Sequence, residues 1–151
     1  METIKKMYQH LAWANDRILS RLQTIEQTHE INDLFAHILL AEQTWFYRLE
    51  NKDSSHITLW GETSLQTCEQ LASNNKEEIE GYLNSLEESD LQTLVSYKNS
   101  KGQQFQTSVH DILTHVALHG QYHRGQINKL LRTAGNEPVN VDYITWIRNE
   151  F

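Results

Sequence analysis

Three histidines recur at four-residue intervals in the stretch His115-Val116-Ala117-Leu118-His119-Gly120-Gln121-Tyr122-His123-Arg124-Gly125-Gln126. If this stretch is helical, residues i and i+4 stand on one face, one turn apart. Two imidazoles so spaced can share one metal ion, as they do in helical zinc motifs. A wheel advancing about 100° per residue separates the three histidines. It gathers Val109, Ile112, Leu113, Val116, Gly120, Ile127, Leu130 and Leu131 into one inward face. His123 falls roughly 40° from the centre of that face, His119 roughly 75° and His115 beyond about 110°. His119 and His123 are therefore the inward pair, His115 is the weaker candidate, and His110 lies on the outer side.

Two ligands hold a metal poorly, so a third must come from another helix. His37 is the best candidate, mid-segment in Leu34-Phe35-Ala36-His37-Ile38-Leu39 and on the shoulder of an apolar stripe. A lone histidine in that position is more often a hydrogen-bonded structural residue than a ligand. The His119–His123 spacing shifts the balance toward metal. Three neutral imidazoles leave a fourth position for solvent, a substrate thiolate or a carbonyl, which is the pattern of a catalytic site; a structural zinc is closed by four protein ligands.

Other residues carry weaker signals. Glu42 falls on the inward face one turn past His37. A carboxylate there must be paired or hydrogen-bonded. Either it serves the site, accepting from a histidine N–H or acting as general base, or it pairs with a polar neighbour such as Asn15 or is exposed at the end of the bundle. Arg124 either holds an anionic group of a substrate or cofactor or forms a surface salt bridge. Trp13, Trp45, Trp60 and Tyr8 could line a pocket, although aromatic residues at helical spacing are more often core. His10, His29 and His56 lack partners at ligand spacing and are expected at the surface. Cys68 has no adjacent base and reads as a buried apolar residue. Phosphate-binding glycine loops and nucleophile-elbow motifs are absent.

The elements that must position these residues are helical. Apolar periodicity predicts helices over about Glu2–Ile25, Glu30–Leu49, Ser64–Leu86 with Ser64 as N-cap, and from Thr107 or Ser108 to Ala134-Gly135. Leu94–Lys98 and Gln103–Thr107 flank Asn99-Ser100-Lys101-Gly102 and read as a small β-hairpin. A short last helix is expected over Val141–Asn149. The sum is an all-α single domain over residues 1–151: a four-helix bundle with one elaborated connection between its third and fourth helices.

Composition bounds the partners. With 13 basic and 20 acidic residues the formal net charge is −7. That disfavours both phosphate-backbone binding to nucleic acid and docking on anionic membrane. One cysteine excludes an intrachain disulfide, and no run is suited to a signal peptide or membrane span, so a reducing cytoplasm is expected.

Taken together, Tyr8 with Trp13-Ala14-Asn15, Ala36-His37-Ile38, and His119-Gly120-Gln121-Tyr122-His123-Arg124-Gly125-Gln126-Ile127 resemble the motifs of the DinB/YfiT-like family of small metal-binding four-helix proteins. The resemblance spans almost the whole chain and includes the His-x3-His-Arg-Gly-Gln pattern in full. It implies an up-down-down-up bundle with a long crossover, a divalent metal (zinc or nickel foremost, then iron or manganese) on His37, His119 and His123, and a homodimer. It also implies a small-molecule substrate or low-molecular-weight thiol, since related branches include bacillithiol-type S-transferases, a mycothiol-dependent isomerase and proposed metal-dependent hydrolases. Three activities stay open on this basis: a metal-dependent thiol S-transferase, a hydrolase with Glu42 as base, and a non-catalytic metal- or small-molecule-binding protein of the stress response.

Overall fold

The computed structural model describes residues 1–26 and 29–150. Four long helices carry the apolar stripes: α1 (Glu2–Leu22), α2 (His29–Leu49), α3 (Leu65–Ser85) and α4 (Val109–Thr133). A 3-10 turn (Glu88–Gln92) and a hairpin of β1 (Leu94–Lys98) and β2 (Gln104–Ser108) join α3 to α4, and α5 (Tyr143–Glu150) closes the chain. The strands pair antiparallel, Leu94 with Ser108 and Lys98 with Gln104. The second strand lies one residue later than the sequence pattern predicts.

Local signals set the boundaries. Ser64 and Ser108 accept hydrogen bonds from Thr67 N and Asp111 N and so start α3 and α4. Gly135, at φ +77°, follows the last turn of α4 in the left-handed conformation that glycine tolerates best. The first helix ends three residues before the expected Ile25: the chain turns after Leu22, and Thr24 Oγ1 donates to the Arg21 carbonyl. Ile25 still packs on the core from that turn, which is why the apolar period runs past the helix end. The last helix starts two residues after the expected Val141. Val139 and Val141 are buried in an extended strap, and Asn128 pairs with both backbone groups of Val139 at 2.7 and 2.8 Å, much as a neighbouring strand would.

Cross-helix contacts give the topology. Tyr8 meets Phe46 and Asn15 meets Glu42, so α1 and α2 run in opposite directions. Asn75 bonds the Leu39 carbonyl and Glu42, and Phe46 and Ile79 share a core cluster, so α3 runs with α2. Tyr8 bonds the Leu113 carbonyl and Arg124 bonds Asn15, so α4 runs with α1. The bundle is up-down-down-up, and residues 50–64 cross over between the two parallel helices. Each of α1 and α2 packs against both α3 and α4. The core divides into two clusters, one centred on Ile18, Phe35, Ile38 and Leu131, the other on Tyr8, Phe46, Ile112 and Val116. Among the described residues, no helix is long and apolar enough to cross a membrane.

His10 departs from its expected surface position. It is buried, its Nε2 donates to the Val141 carbonyl at 2.8 Å, and its ring meets Trp13, Tyr143 and Trp146. Docking of the C-terminal strap and α5 on α1 covers a face that looked open from α1 alone. His29 and His56 are exposed, as expected. Burial lowers the His10 pKa, against a smaller raising effect of its bond to Val141. The native state therefore binds fewer protons than the unfolded chain below the free value of about 6.5. This contribution to stability is complete above that value and is lost as pH falls from it toward the folded pKa. Thermal melts between about pH 7.5 and 5.5 should show Tm falling with acidification, and less steeply in His10→Gln. Identical slopes for both proteins would refute this assignment.

Candidate metal centre

The crossover puts α4 beside α2 and running against it, so that one turn of each can face the other. His37 from α2 meets His119 and His123 from α4 at ring-centroid distances of 5.1 and 4.8 Å. One nitrogen of each lies within 4.8 Å of the others. His119 Nε2 and His123 Nε2 are 3.1 Å apart. Two nitrogens bound tetrahedrally to zinc at ordinary bond lengths stand about 3.3 Å apart, so this pair already has the spacing of shared ligands.

The second nitrogens of two of these rings are committed elsewhere. His37 Nδ1 lies 3.0 Å from the Leu59 carbonyl, which can only accept, so Nδ1 carries the proton and Nε2 keeps its lone pair. His123 Nδ1 lies 2.6 Å from Gln126 Oε1 and is fixed in the same sense. Such outer hydrogen bonds set the tautomer and ring orientation that a metal ligand needs. Burial lowers the pKa of His37. It lowers that of His119 to about 4, with the neighbouring His123, His37 and His115 contributing after desolvation. These rings are neutral at physiological pH, the form that ligates.

An indole covers the site. Trp60, on the crossover, stacks on His37 with rings 3.7 Å apart and 8° from parallel, while remaining 55% exposed. Tyr122 packs edge-on against His123 and is also exposed. Together they make an aromatic rim around half-buried His119 and His123. Trp60 belongs to the site, whereas Tyr8 is core, its hydroxyl donating to Leu113. Trp13 packs on His10 and Arg17, and Trp45 packs on His115 and Tyr97.

The remaining candidates sit elsewhere. His115 is exposed, 5.6 Å ring to ring from His119, and belongs to no ligand cluster among the described residues. His110 is exposed beside Asp111. Cys68 is buried, and burial pushes its thiol up to about 11, as befits an inert apolar position. Glu42 bonds no histidine: Asn15 Nδ2 and Asn75 Nδ2 donate to its two oxygens at 3.0 and 3.2 Å. Burial raises its pKa, and Asn15, Arg124 and Asn75 oppose that rise. Arg124 is neither at the surface nor at the triad. It is 1% exposed and donates to Asn15 Oδ1 at 2.8 Å and to Gln121 Oε1. Facing the bundle interior rather than the metal-side rim, it balances Glu42 through Asn15.

One network thus joins Gln121 and Arg124 of α4, Asn15 of α1, Glu42 of α2 and Asn75 of α3. It fixes all four helices relative to one another, one turn away from His37 along α2. Asn75 had a legible signal, a polar residue in the α3 stripe of Cys68, Ala72, Ile79 and Leu83. The role of the Leu59 carbonyl has no sequence signal, because any residue supplies a carbonyl.

The network also accounts for Gly120. A Cβ built there would meet Arg124 Nη1 at 3.0 Å and Nη2 at 3.3 Å, because the arginine folds back over the glycine to reach Asn15. In an open helix, glycine to alanine gains about 1 kcal/mol. Gly120→Ala is expected to lower Tm instead, since the guanidinium it displaces is fixed and buried. A Tm at or above wild type would refute this reading.

The family model for the DinB family matches residues 1–150. The chain belongs to the DinB family. It is 29% identical over 157 aligned positions to protein DinB of Bacillus subtilis (strain 168), covering 91% of this chain and 90% of that protein. A crystal structure of a DinB-like protein from Bacillus cereus ATCC 10987 shares the fold, with a TM-score of 0.62, 18% identity, and coverage of 90% of this chain and 93% of that one. The DinB-family fold is thus the one that brings the three histidines together.

Proposed function

We propose that this DinB-family protein is a divalent-metal enzyme that transfers a low-molecular-weight thiol of the bacillithiol type to an electrophile. The observation that carries the reading is the convergence of His37, His119 and His123, with outer hydrogen bonds that leave the facing nitrogens of His37 and His123 unprotonated. A divalent cation, zinc or nickel, bound there would lower the pKa of a coordinating thiol and favour the thiolate.

The residues around the triad do the rest. Leu59 and Gln126 hold two of the rings in place. Trp60 and Tyr122 flank the site as an exposed aromatic rim. In the transfer, the thiolate sulfur forms a bond to an electrophilic carbon, and the leaving group departs with the electron pair of the bond that breaks. A hydrolytic reading would ask Glu42 to act as base, and Glu42 is occupied by Asn15 and Asn75.

The test combines elemental analysis of purified protein with conjugation of monochlorobimane by bacillithiol. One equivalent of metal and a rate that falls on metal removal are expected; stoichiometric metal with no conjugation would leave a binding protein and end the transferase reading. Metal titration should also change the fluorescence of Trp60, because its indole stacks on a proposed ligand. The homodimer implied by the family predicts twice the 17.7 kDa chain mass by light scattering.

A further inference from the structure

A second feature lies further along the same face of α2. Between the crossover and the β1–β2 hairpin is a cleft of about 760 Å³, within the range of small-molecule sites. Its charged lining runs against the character of the chain. In a protein of net charge −7, the lining residues include Arg48, Lys52 and Lys98 against the single acid Asp53. Asp53 is already engaged by Ser55, through its backbone N–H and its hydroxyl, and Lys52 by Glu50. Arg48 has no carboxylate partner among the described residues. Its guanidinium carbon lies 4.5 Å from the Trp45 ring centroid and 4.9 Å from that of Tyr97, and Nη2 donates to the Lys98 carbonyl at 3.3 Å. Its Nε is buried without a hydrogen-bond partner. Two aromatic faces thus hold a planar cation whose charge no carboxylate balances, an arrangement that suits capture of an oxyanion. Around it Ser96 and Gln104 add a hydroxyl and an amide to the lining.

The cleft borders the candidate metal centre at one residue. Leu59, whose carbonyl orients His37, is one of its lining residues. Arg48 is eleven residues after His37, which places it on the same face of α2 and about 16 Å along the axis. Between them on that face stand Ala41 and Thr44, both small and both buried, of which Thr44 lines the cleft.

We infer that this cleft binds a small organic molecule through a carboxylate or phosphate seated on Arg48, with the rest of the molecule extending toward His37. The anion site stands on its own residues; only the assignment of the far end rests on the proposed metal function. Burial without a counter-anion already lowers the Arg48 pKa, so an arriving oxyanion meets a cation that gains from it.

The experiment titrates succinate and, separately, inorganic phosphate into full-length protein stripped of metal on a chelating resin, followed by backbone amide NMR shifts. Shifts should gather at residues 44–59 and 96–104, weaken with added salt, and locate the ligand chemistry by whichever probe binds tighter. Arg48→Gln should weaken binding by roughly tenfold, the worth of a charge-assisted hydrogen bond, and Arg48→Lys by less. Lys98→Gln is a second variant, on an exposed strand end where folding is not at stake; it should weaken binding by a smaller factor. Equal affinities for wild type and Arg48→Gln, or no shifts with either probe, would overturn the inference. Because the protein is metal-free, oxyanion binding with no metal uptake in a parallel zinc titration would sink the metal reading and leave the cleft standing. Zinc uptake without oxyanion binding would do the reverse.

Discussion

His123→Ala is expected to abolish stoichiometric metal binding. Apparent affinity for zinc or nickel should drop by more than about 100-fold, beyond the ten- to hundredfold that loss of an outer hydrogen-bond partner costs. The ring supplies one of three proposed ligand nitrogens, and its Nε2 is 3.1 Å from that of His119. His37→Ala and His119→Ala should do the same, whereas His115→Ala should leave affinity near wild type because His115 is exposed outside the cluster. Gln126→Ala should fall between, since it removes the acceptor that fixes the His123 tautomer. Isothermal titration on chelator-stripped protein reads all five variants. Wild-type affinity in His123→Ala, or equal losses in His115→Ala, would remove the metal centre. Circular dichroism separates this from unfolding: half-buried His123 lies at the edge of the core, so the variant should remain helical.

The pair on α4 was legible because a single helix fixes the geometry of residues four apart. His37 was legible only as a candidate, because nothing local says which helix faces which. That depends on the up-down-down-up order, which sets α2 against α4 and which, in the sequence, only the family resemblance implies. Trp60 shows the other limit. It sits in a crossover without periodicity, so its stacking on His37 follows from where the loop runs, not from its neighbours in sequence. His10 failed for a similar reason. Its surroundings are supplied by Val141 and Trp146, more than a hundred residues away, and α1 considered alone leaves that face open. Glu42 was legible as a buried carboxylate needing a partner, and Asn15 as one of its choices; Asn75 and Arg124 complete a set that only three-dimensional packing reveals.

That network carries the largest expected effect on stability. Arg124→Ala leaves the Glu42 carboxylate fully buried without its compensating cation and leaves Asn15 Oδ1 without its donor. Arg124 and Glu42 are joined only through Asn15, so the loss is that of stranding buried hydrogen-bonding groups, about 3 kcal/mol, which for a domain of this size lowers Tm by roughly 10 °C. At pH 7 Arg124 stays protonated, its pKa lowered by burial only to about 10. Glu42→Ala should be comparably damaging, because the stranded group is then a guanidinium that is 1% exposed. The double replacement Glu42→Leu with Arg124→Met removes both charges and keeps apolar volume, so it should recover a substantial part of the loss. Purely additive losses in the double variant would mean that the two charges do not interact. A Tm within about 2 °C of wild type for Arg124→Ala would mean that the network contributes little. Metal affinity measured on the same variants tells whether this lock also positions the triad: Arg124 follows His123 directly, and a loosened α4 should bind metal more weakly even at temperatures where the protein remains folded.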